Sequence, residues 1–178
     1  HLRTRRQRQM CIRDSKYLIE ANKTADYTVF VSNWLKQLYI DQGIGEKEKH
    51  VIYAGANNNI FNSEGFTPWD NKSKLKIVTH HWGANWNKGF DIYEKIDQLM
   101  NHDIWKTKID FMYIGNIPKG FKFINTNVVI PLSGLSLSKK IKENHLYVTG
   151  SLFEPSGNHH IEAAQCGLPI MYLSLIHI

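Results

Sequence analysis

The chain has 178 residues, 42% of them hydrophobic and 21% charged, which excludes a peptide hormone, a disulfide-stapled mini-protein and a disordered segment and leaves enough apolar mass for one domain or for pieces of two. Two cysteines, Cys11 and Cys166, are too few for a disulfide framework or a four-cysteine zinc site, so a cytoplasmic setting is the default. The formal net charge of +6 is unevenly spread: all five arginines (Arg3, Arg5, Arg6, Arg8, Arg13) fall in residues 1–15, and the other 163 residues carry 17 lysines against 15 acids.

Residues 1–15 resemble the translation of a sequencing adaptor, as do residues 174–178 (SLIHI), and both are read as foreign and excluded from fold reasoning. The rival reading, a basic arm for nucleic acid or anionic lipid, lacks aromatic residues among the arginines and any binding motif after them. No nucleic-acid partner is therefore expected. No apolar run reaches the ~18 residues of a membrane span.

From Lys16 onward, short β-rich runs alternate with helical periodicity. Residues 16–26 read as a helix and 27–31 (YTVFV) as a buried strand, with β-branched and aromatic enrichment. Ser32 is placed to cap a helix with Trp34, Leu35, Leu38 and Tyr39 on one face and Gly43 at its exit. HVIYA (50–54) is the next strand. The Gly-, Asn- and Ser-rich stretch that follows has no periodicity and reads as a linker.

The alternation then strengthens. Strands are expected at 74–81, 109–115, 127–132, 145–151 and around PIMYL near 170. Helices are expected at 90–100, where Asp97 is the one polar residue on the apolar face, at 135–144, and from Asn158 to Cys166, closed by Gly167 and Pro169. Strands separated by helices imply right-handed crossovers and a parallel sheet covered on both faces, so the class is α/β.

Ligands of such sheets sit beyond the carboxyl ends of the strands. Of the loops after His81, Gly115, Leu132 and Ser151, the last is the richest in chemistry. Glu154 lies in it, Glu162 follows eight positions later inside a helix, and Pro155, Ser156, Gly157 and Asn158 lie between. Gly157 lets backbone pass close to a ligand, and the unpaired N–H groups at the helix start attract an anion. Carboxylates accept hydrogen bonds from sugar hydroxyls, so an acid on either side of an anion site suits a diphosphate with a sugar at each end. Taken alone, two such glutamates are more often a solvated loop acid and a helix-surface acid.

The neighbours of the two acids change that balance. EPSGNHHIEAAQCGLP resembles the donor-site signature of GT-B fold glycosyltransferases, especially the retaining group called glycosyltransferase family four, with landmarks at Glu154, Glu162, Ala163, Cys166, Gly167, Leu168 and Pro169. VIYAGANNNIF is similar to the family's crossing between acceptor and donor domains, matching at Gly55, Ala56, Asn57 and Phe61, with Ala54 in place of the usual Asn. HHWGANWNKGFDIY resembles the loop that carries the family's Lys-Gly, here Lys88 and Gly89. The likeness spans most of residues 16–173, and its last block is the specific part.

The resemblance implies a GT-B glycosyltransferase truncated at both ends: residues 16–63 as the C-terminal part of the acceptor-side domain, 64–73 as linker and 74–173 as an incomplete donor-binding domain with a Rossmann-like parallel sheet. It implies transfer of a hexose or amino sugar from a nucleotide-diphosphate sugar to an acceptor hydroxyl, on a glycan, lipid-linked or other acceptor, with retention. Lys88 would neutralise the diphosphate, Glu162 would hold the ribose hydroxyls, Glu154 would contact the transferred sugar, and Gly89, Ser156, Gly157 and Asn158 would complete the donor site. Lys88 and Glu154 would be the catalytic pair. No metal or other cofactor is implied beyond the donor itself, and the parent enzyme would be cytoplasmic or peripheral on a membrane surface. This piece, lacking the acceptor pocket, is expected to be inactive alone.

One position departs from the family's pattern: Gly83 stands where an arginine five residues before the lysine usually forms a second diphosphate clamp. A nucleotide-sugar epimerase of the same fold and a non-catalytic protein that has lost donor binding are the alternatives. His80 with His81, and His159 with His160, are not read as metal ligands, because adjacent residues diverge on a strand or a helix. Trp82 and Trp86 are read as packing groups, with the lining of a sugar pocket as the alternative for one of them, and Cys166 as a small buried apolar residue.

Overall fold

The computed structural model describes residues 16–45, 48–152, 154 and 156–172, so the expectations for 1–15 and 174–178 lie outside the described residues. The chain forms two compact units, His1–Ala54 and Gly55–Ile178.

In the first unit a helix over 16–23 (α1) precedes β1 (Tyr27–Phe30), α2 (Asn33–Ile40) and β2 (Glu48–Val51). β1 and β2 pair in parallel from Tyr27 opposite Glu48 to Phe30 opposite Val51. The Ser32 hydroxyl accepts from the Leu35 amide at 3.1 Å, the expected N-cap. Of the predicted apolar face of α2, Leu35 and Tyr39 are half-buried while Trp34 and Leu38 are exposed. Phe30 and Ile44 are the buried apolar residues among those described in this unit.

The second unit carries a five-stranded parallel sheet. Its elements are β3 (Leu75–His81), a 3₁₀ turn (Trp86–Lys88), α3 (Phe90–Leu99), α4 (Asp103–Lys106), β4 (Ile109–Gly115), β5 (Asn127–Val129), α5 (Gly134–Lys142), β6 (Leu146–Thr149), α6 (Asn158–Gln165) and β7 (Ile170–Tyr172). The strand order is β5-β4-β3-β6-β7, so the chain leaves β3 toward one edge and then returns to build the other. Between β3 and β6 the direction of winding reverses. The two loops leaving them diverge there, and a crevice opens beyond their carboxyl ends.

Side-chain alternation along the strands supplies a core on each face. Ile77, Phe111, Tyr113 and Val148 pack with Phe90, Tyr93 and Met100 of α3 and its C-cap, while Val78, Ile114 and Tyr147 pack with Leu137 and Ile141 of α5 and Ala163 of α6. Phe61 is buried in this second cluster. The second compact unit begins at Gly55 and includes residues 55–63, which the resemblance places with the acceptor-side piece. α4, four residues long, was not foreseen. β5 ends at Val129 rather than Leu132, as suits a segment running into Pro131, which has no N–H for a ladder.

Asp97, the polar exception on α3, is 3% exposed and has a structural task. Its carboxylate accepts from the amides of Ile124, Asn125 and Thr126 at 2.7–2.9 Å and from the Thr126 hydroxyl at 2.5 Å, fixing the loop that enters β5. Burial opposes its ionisation, but the Thr126 hydroxyl and the three amides outweigh it and hold the carboxyl below its usual value. Asp97→Asn should lower unfolding free energy by ~1–3 kcal/mol at pH 7, read by urea denaturation, because one acceptor oxygen becomes a donor facing donors. A carboxyl held below its ordinary value contributes above that value and loses the contribution as pH falls through it, so the gap between wild type and variant should close in acid.

Candidate functional site

A cavity of about 520 Å³ opens at the carboxyl ends of the strands, within the size range of small-ligand sites. The loops that follow β3, β5 and β6 and the end of β4 line it: Trp82, Gly83 and Lys88 after β3, Gly115 in β4, Pro131 to Gly134 after β5, and Glu154, Ser156 and Asn158 after β6. Glu162 and His159 of α6 and His80 and His81 of β3 complete its polar lining. α5 and α6 both begin at its wall, and neither the Ser133 nor the Gly157 N-cap provides a side-chain cap, so among the described residues no cap side chain competes with an anion for their first amides.

Two acid–base pairs stand in this cavity. The Lys88 ammonium donates to Glu154 Oε2 at 2.7 Å, with the two side chains 27% and 13% exposed. His80 Nε2 lies 2.9 Å from Glu162 Oε2. His159 Nε2 is 3.7 Å from Glu154 Oε2, too long for a hydrogen bond but close enough to act on its charge. The His159 ring first, then Lys88 against the opposing cost of burial, hold the Glu154 carboxyl down at about 2, so it is ionised at any physiological pH.

The chain brings these groups together through glycine. Gly89 adopts φ +97°, and a Cβ there would lie 2.5 Å from the Gly150 carbonyl carbon; a Cβ on Gly150 would lie 2.8 Å from Ile92 Cγ1. Backbone thus packs on backbone, and the Leu152 amide donates to the Asn87 carbonyl at 2.8 Å alongside. Lys88 is thereby set against the loop holding Glu154. Gly157 is required for a similar reason, since a Cβ would meet His160 Nδ1 at 2.6 Å and Glu154 Cγ at 2.8 Å. Neither Gly89 nor Gly157 lines the cavity. They act by letting their neighbours approach.

Of the residues singled out from sequence, Lys88, Glu154, Ser156, Asn158 and Glu162 surround one cavity. Sequence reasoning missed the histidines. His80 and His81 do point to opposite faces, toward Glu162 and toward Tyr93, whose hydroxyl is 2.6 Å from His81 Nε2. At the end of the sheet, however, the His159 ring bridges them, its centroid 4.6 Å from His81 and 6.1 Å from His80. No group of three or more His, Cys, Asp or Glu among the described residues has a geometry that would hold a metal. Trp86 stacks on Phe90 with one side of its ring, and Trp82 is exposed and lines the cavity. Cys166 is fully buried beside the Ser138 hydroxyl.

No family model and no curated protein matches the sequence. Among solved structures, the chain resembles the crystal structure of TarM, a glycosyltransferase of GT-B type, with a TM-score of 0.62 over 90% of this chain and 32% of that one, at 16% sequence identity. The fold is that of part of a GT-B glycosyltransferase. Among the described residues no helix is long and apolar enough to cross a membrane.

Gly89→Ala should cost at least ~1–3 kcal/mol from positive φ alone, with the Gly150 contact adding to it. In the folded fraction the Glu154 carboxyl should titrate higher than in wild type, read by carboxyl ¹³C shifts, as Lys88 withdraws while His159 remains. Burial and neighbouring positive groups push His81 well below its ordinary value of 6.5, and burial also lowers His159. A His with a depressed folded value favours folding least where the unfolded chain can take the proton, so stability should fall as pH drops below about 6.5. Thermal unfolding between pH 8 and 5.5 checks this, and His81→Gln should flatten the slope.

Proposed function

We propose that the chain is part of a glycosyltransferase whose second unit binds a nucleotide-diphosphate sugar, with the first unit belonging to the acceptor side. One observation carries this reading: a single cavity at the winding reversal of the sheet holds Glu154 and Glu162, each paired with a base, between two helix N-termini with open amides. The chain spans about a third of the solved glycosyltransferase structure it matches, so the activity belongs to a longer protein.

In this reading Lys88 and the amides at the starts of α5 and α6 take the diphosphate, Glu162 takes the ribose hydroxyls and Glu154 the transferred sugar. Negative charge grows on the leaving diphosphate in the transition state, and a lysine beside helix N-termini is preorganised to meet it without moving solvent. Glu154, ionised throughout the physiological range, holds the lysine in place for that task. The reaction is transfer of a sugar to an acceptor hydroxyl with retention, following the donor-site resemblance.

Gly83 favours a second reading, a GT-B protein that no longer binds a donor. A Cβ at this position would have its nearest neighbours at 3.6 Å (Asn85 Nδ2) and 3.8 Å (Lys88 Cε), so there is room for a side chain beside Lys88 that the sequence does not use.

Calorimetry with UDP, GDP, ADP and TDP separates the two. Binding of at least one is expected, weakened about tenfold or more by Glu162→Ala through loss of charge-assisted hydrogen bonds, while Glu154→Ala should weaken the nucleotide sugar more than the free diphosphate. Silence with all four nucleotides favours the second reading, and equal affinity for wild type and Glu162→Ala removes the ribose assignment.

A further inference from the structure

The cavity contains a buried ring nitrogen without a hydrogen bond. His159 is 9% exposed, lies in the first turn of α6 and lines the cavity, and among the described residues its Nε2 has no hydrogen-bond partner, the Glu154 carboxylate standing 3.7 Å away. A buried nitrogen without a hydrogen bond is costly, and a ligand atom could supply the missing partner. Beside it are the open amides of the same helix.

The other side of the ring is arranged to choose the tautomer. His159 Nδ1 is 3.0 Å from the Tyr147 hydroxyl oxygen, which also accepts from the His80 amide at 3.1 Å and lies 3.3 Å from the His80 carbonyl. With the Tyr147 proton given to Nδ1, the ring proton sits on Nε2 and faces the cavity. The same hydroxyl has a second acceptor in the His80 carbonyl. If it turns there, Nδ1 is free to carry a proton and donate to the Tyr147 oxygen.

We propose that His159 is an anion-binding residue of this cavity: its Nε2–H donates to the anionic part of the bound ligand, and its Nδ1 takes up one proton from solvent as the anion enters, the Tyr147 hydroxyl turning from Nδ1 to the His80 carbonyl. This rests on the diphosphate reading of the cavity and adds a positive group that Lys88 alone does not supply. The balance is simple: one proton comes from water, no bond other than hydrogen bonds forms or breaks, and the net charge of protein plus ligand rises by one.

The charged and titratable groups that face the ring support the direction. Glu154, at 3.7 Å, favours the imidazolium but is already shared with Lys88. His80 and His81 of β3 and His160 of α6 stand against the ring and disfavour a charge on it, and Tyr147 of β6 is neutral. In the free cavity burial and these neighbours leave His159 uncharged at neutral pH. A diphosphate adds the negative charge that reverses the balance.

The test is calorimetry with UDP-glucose, UDP-N-acetylglucosamine, GDP-mannose and ADP-glucose, whose diphosphate diesters do not titrate near neutrality, at pH 6, 7 and 8 in buffers of two ionisation enthalpies. The donor that binds should do so with uptake of up to one proton, its affinity rising by at most about tenfold per unit fall in pH. H159Q should bind it more weakly and without proton uptake. Histidine ¹⁵N spectra of wild type give a second readout that needs no variant: Nε2 protonated in both states, and Nδ1 gaining its proton on addition of the donor. Binding by wild type without proton uptake, or uptake retained in H159Q, overturns the role of His159 while leaving the cavity a donor site. No binding by wild type overturns both.

Discussion

Everything in the site depends on one place where backbone touches backbone. Gly89 and Gly150 meet so closely that neither could hold a methyl group without displacing main chain or Ile92, and the Asn87–Leu152 hydrogen bond runs beside them. Strand order explains why the contact occurs here. The chain leaves β3 in one direction and β6 in the other, so the two loops would part unless something joined them at the mouth of the crevice. The glycine contact joins them, and a lysine and a glutamate 66 residues apart become an ion pair at 2.7 Å. A larger residue at either position would separate the charges before it disturbed the hydrophobic core.

Given that geometry, the electrostatics of the free cavity follow. Two carboxylates in a partly buried site would repel one another and their own burial unless compensated. Each has its own base: Lys88 for Glu154, His80 for Glu162. In both pairs the contact is to Oε2, so among the described residues Oε1 of each acid has no hydrogen bond from a protein side chain and can accept from a ligand hydroxyl. Pairing therefore compensates the acids without consuming them, which a site that reads hydroxyl groups requires.

The sequence carried the strand and helix pattern where segments were long and chemically uniform. β4 was legible to the residue because Ile109–Gly115 is rich in β-branched and aromatic residues (Ile109, Phe111, Tyr113, Ile114) and ends in a glycine. α4 was not, because four residues cannot show a period, and the burial of Phe61 was not, because within a stretch of Asn and Gly it depends on a partner far along the chain. The acids and the lysine stood out because spacing along one loop or helix is a local property. The histidines were judged in adjacent pairs, for which divergence is the correct rule. Their meeting is non-local: the first turn of α6 lies over the end of β3 only after β6 has been placed beside it.

What separates this site from the core beneath it is a layer of tyrosines. Along β3 burial is continuous while polarity changes, from Ile77 and Val78 through Thr79 to His80 and His81, and buried polar groups need partners. Tyr93, Tyr113 and Tyr147 have rings in the two apolar clusters and hydroxyls at the level where the strands turn polar. The Tyr93 hydroxyl meets His81 Nε2 and the Gly150 amide, the Tyr147 hydroxyl meets His159 Nδ1 and the His80 amide, and the Tyr113 hydroxyl donates to the Asn116 carbonyl. Burial raises all three phenols above their ordinary value, so they stay protonated and can act as both donor and acceptor. A phenol is the side chain suited to this level: its ring satisfies the packing below, while its rotatable hydroxyl answers whichever nitrogen above carries the proton. Leucine or phenylalanine in the same places would fill the core equally well and leave the imidazoles without orientation, so the polarity of the site is determined one layer below the residues that line it.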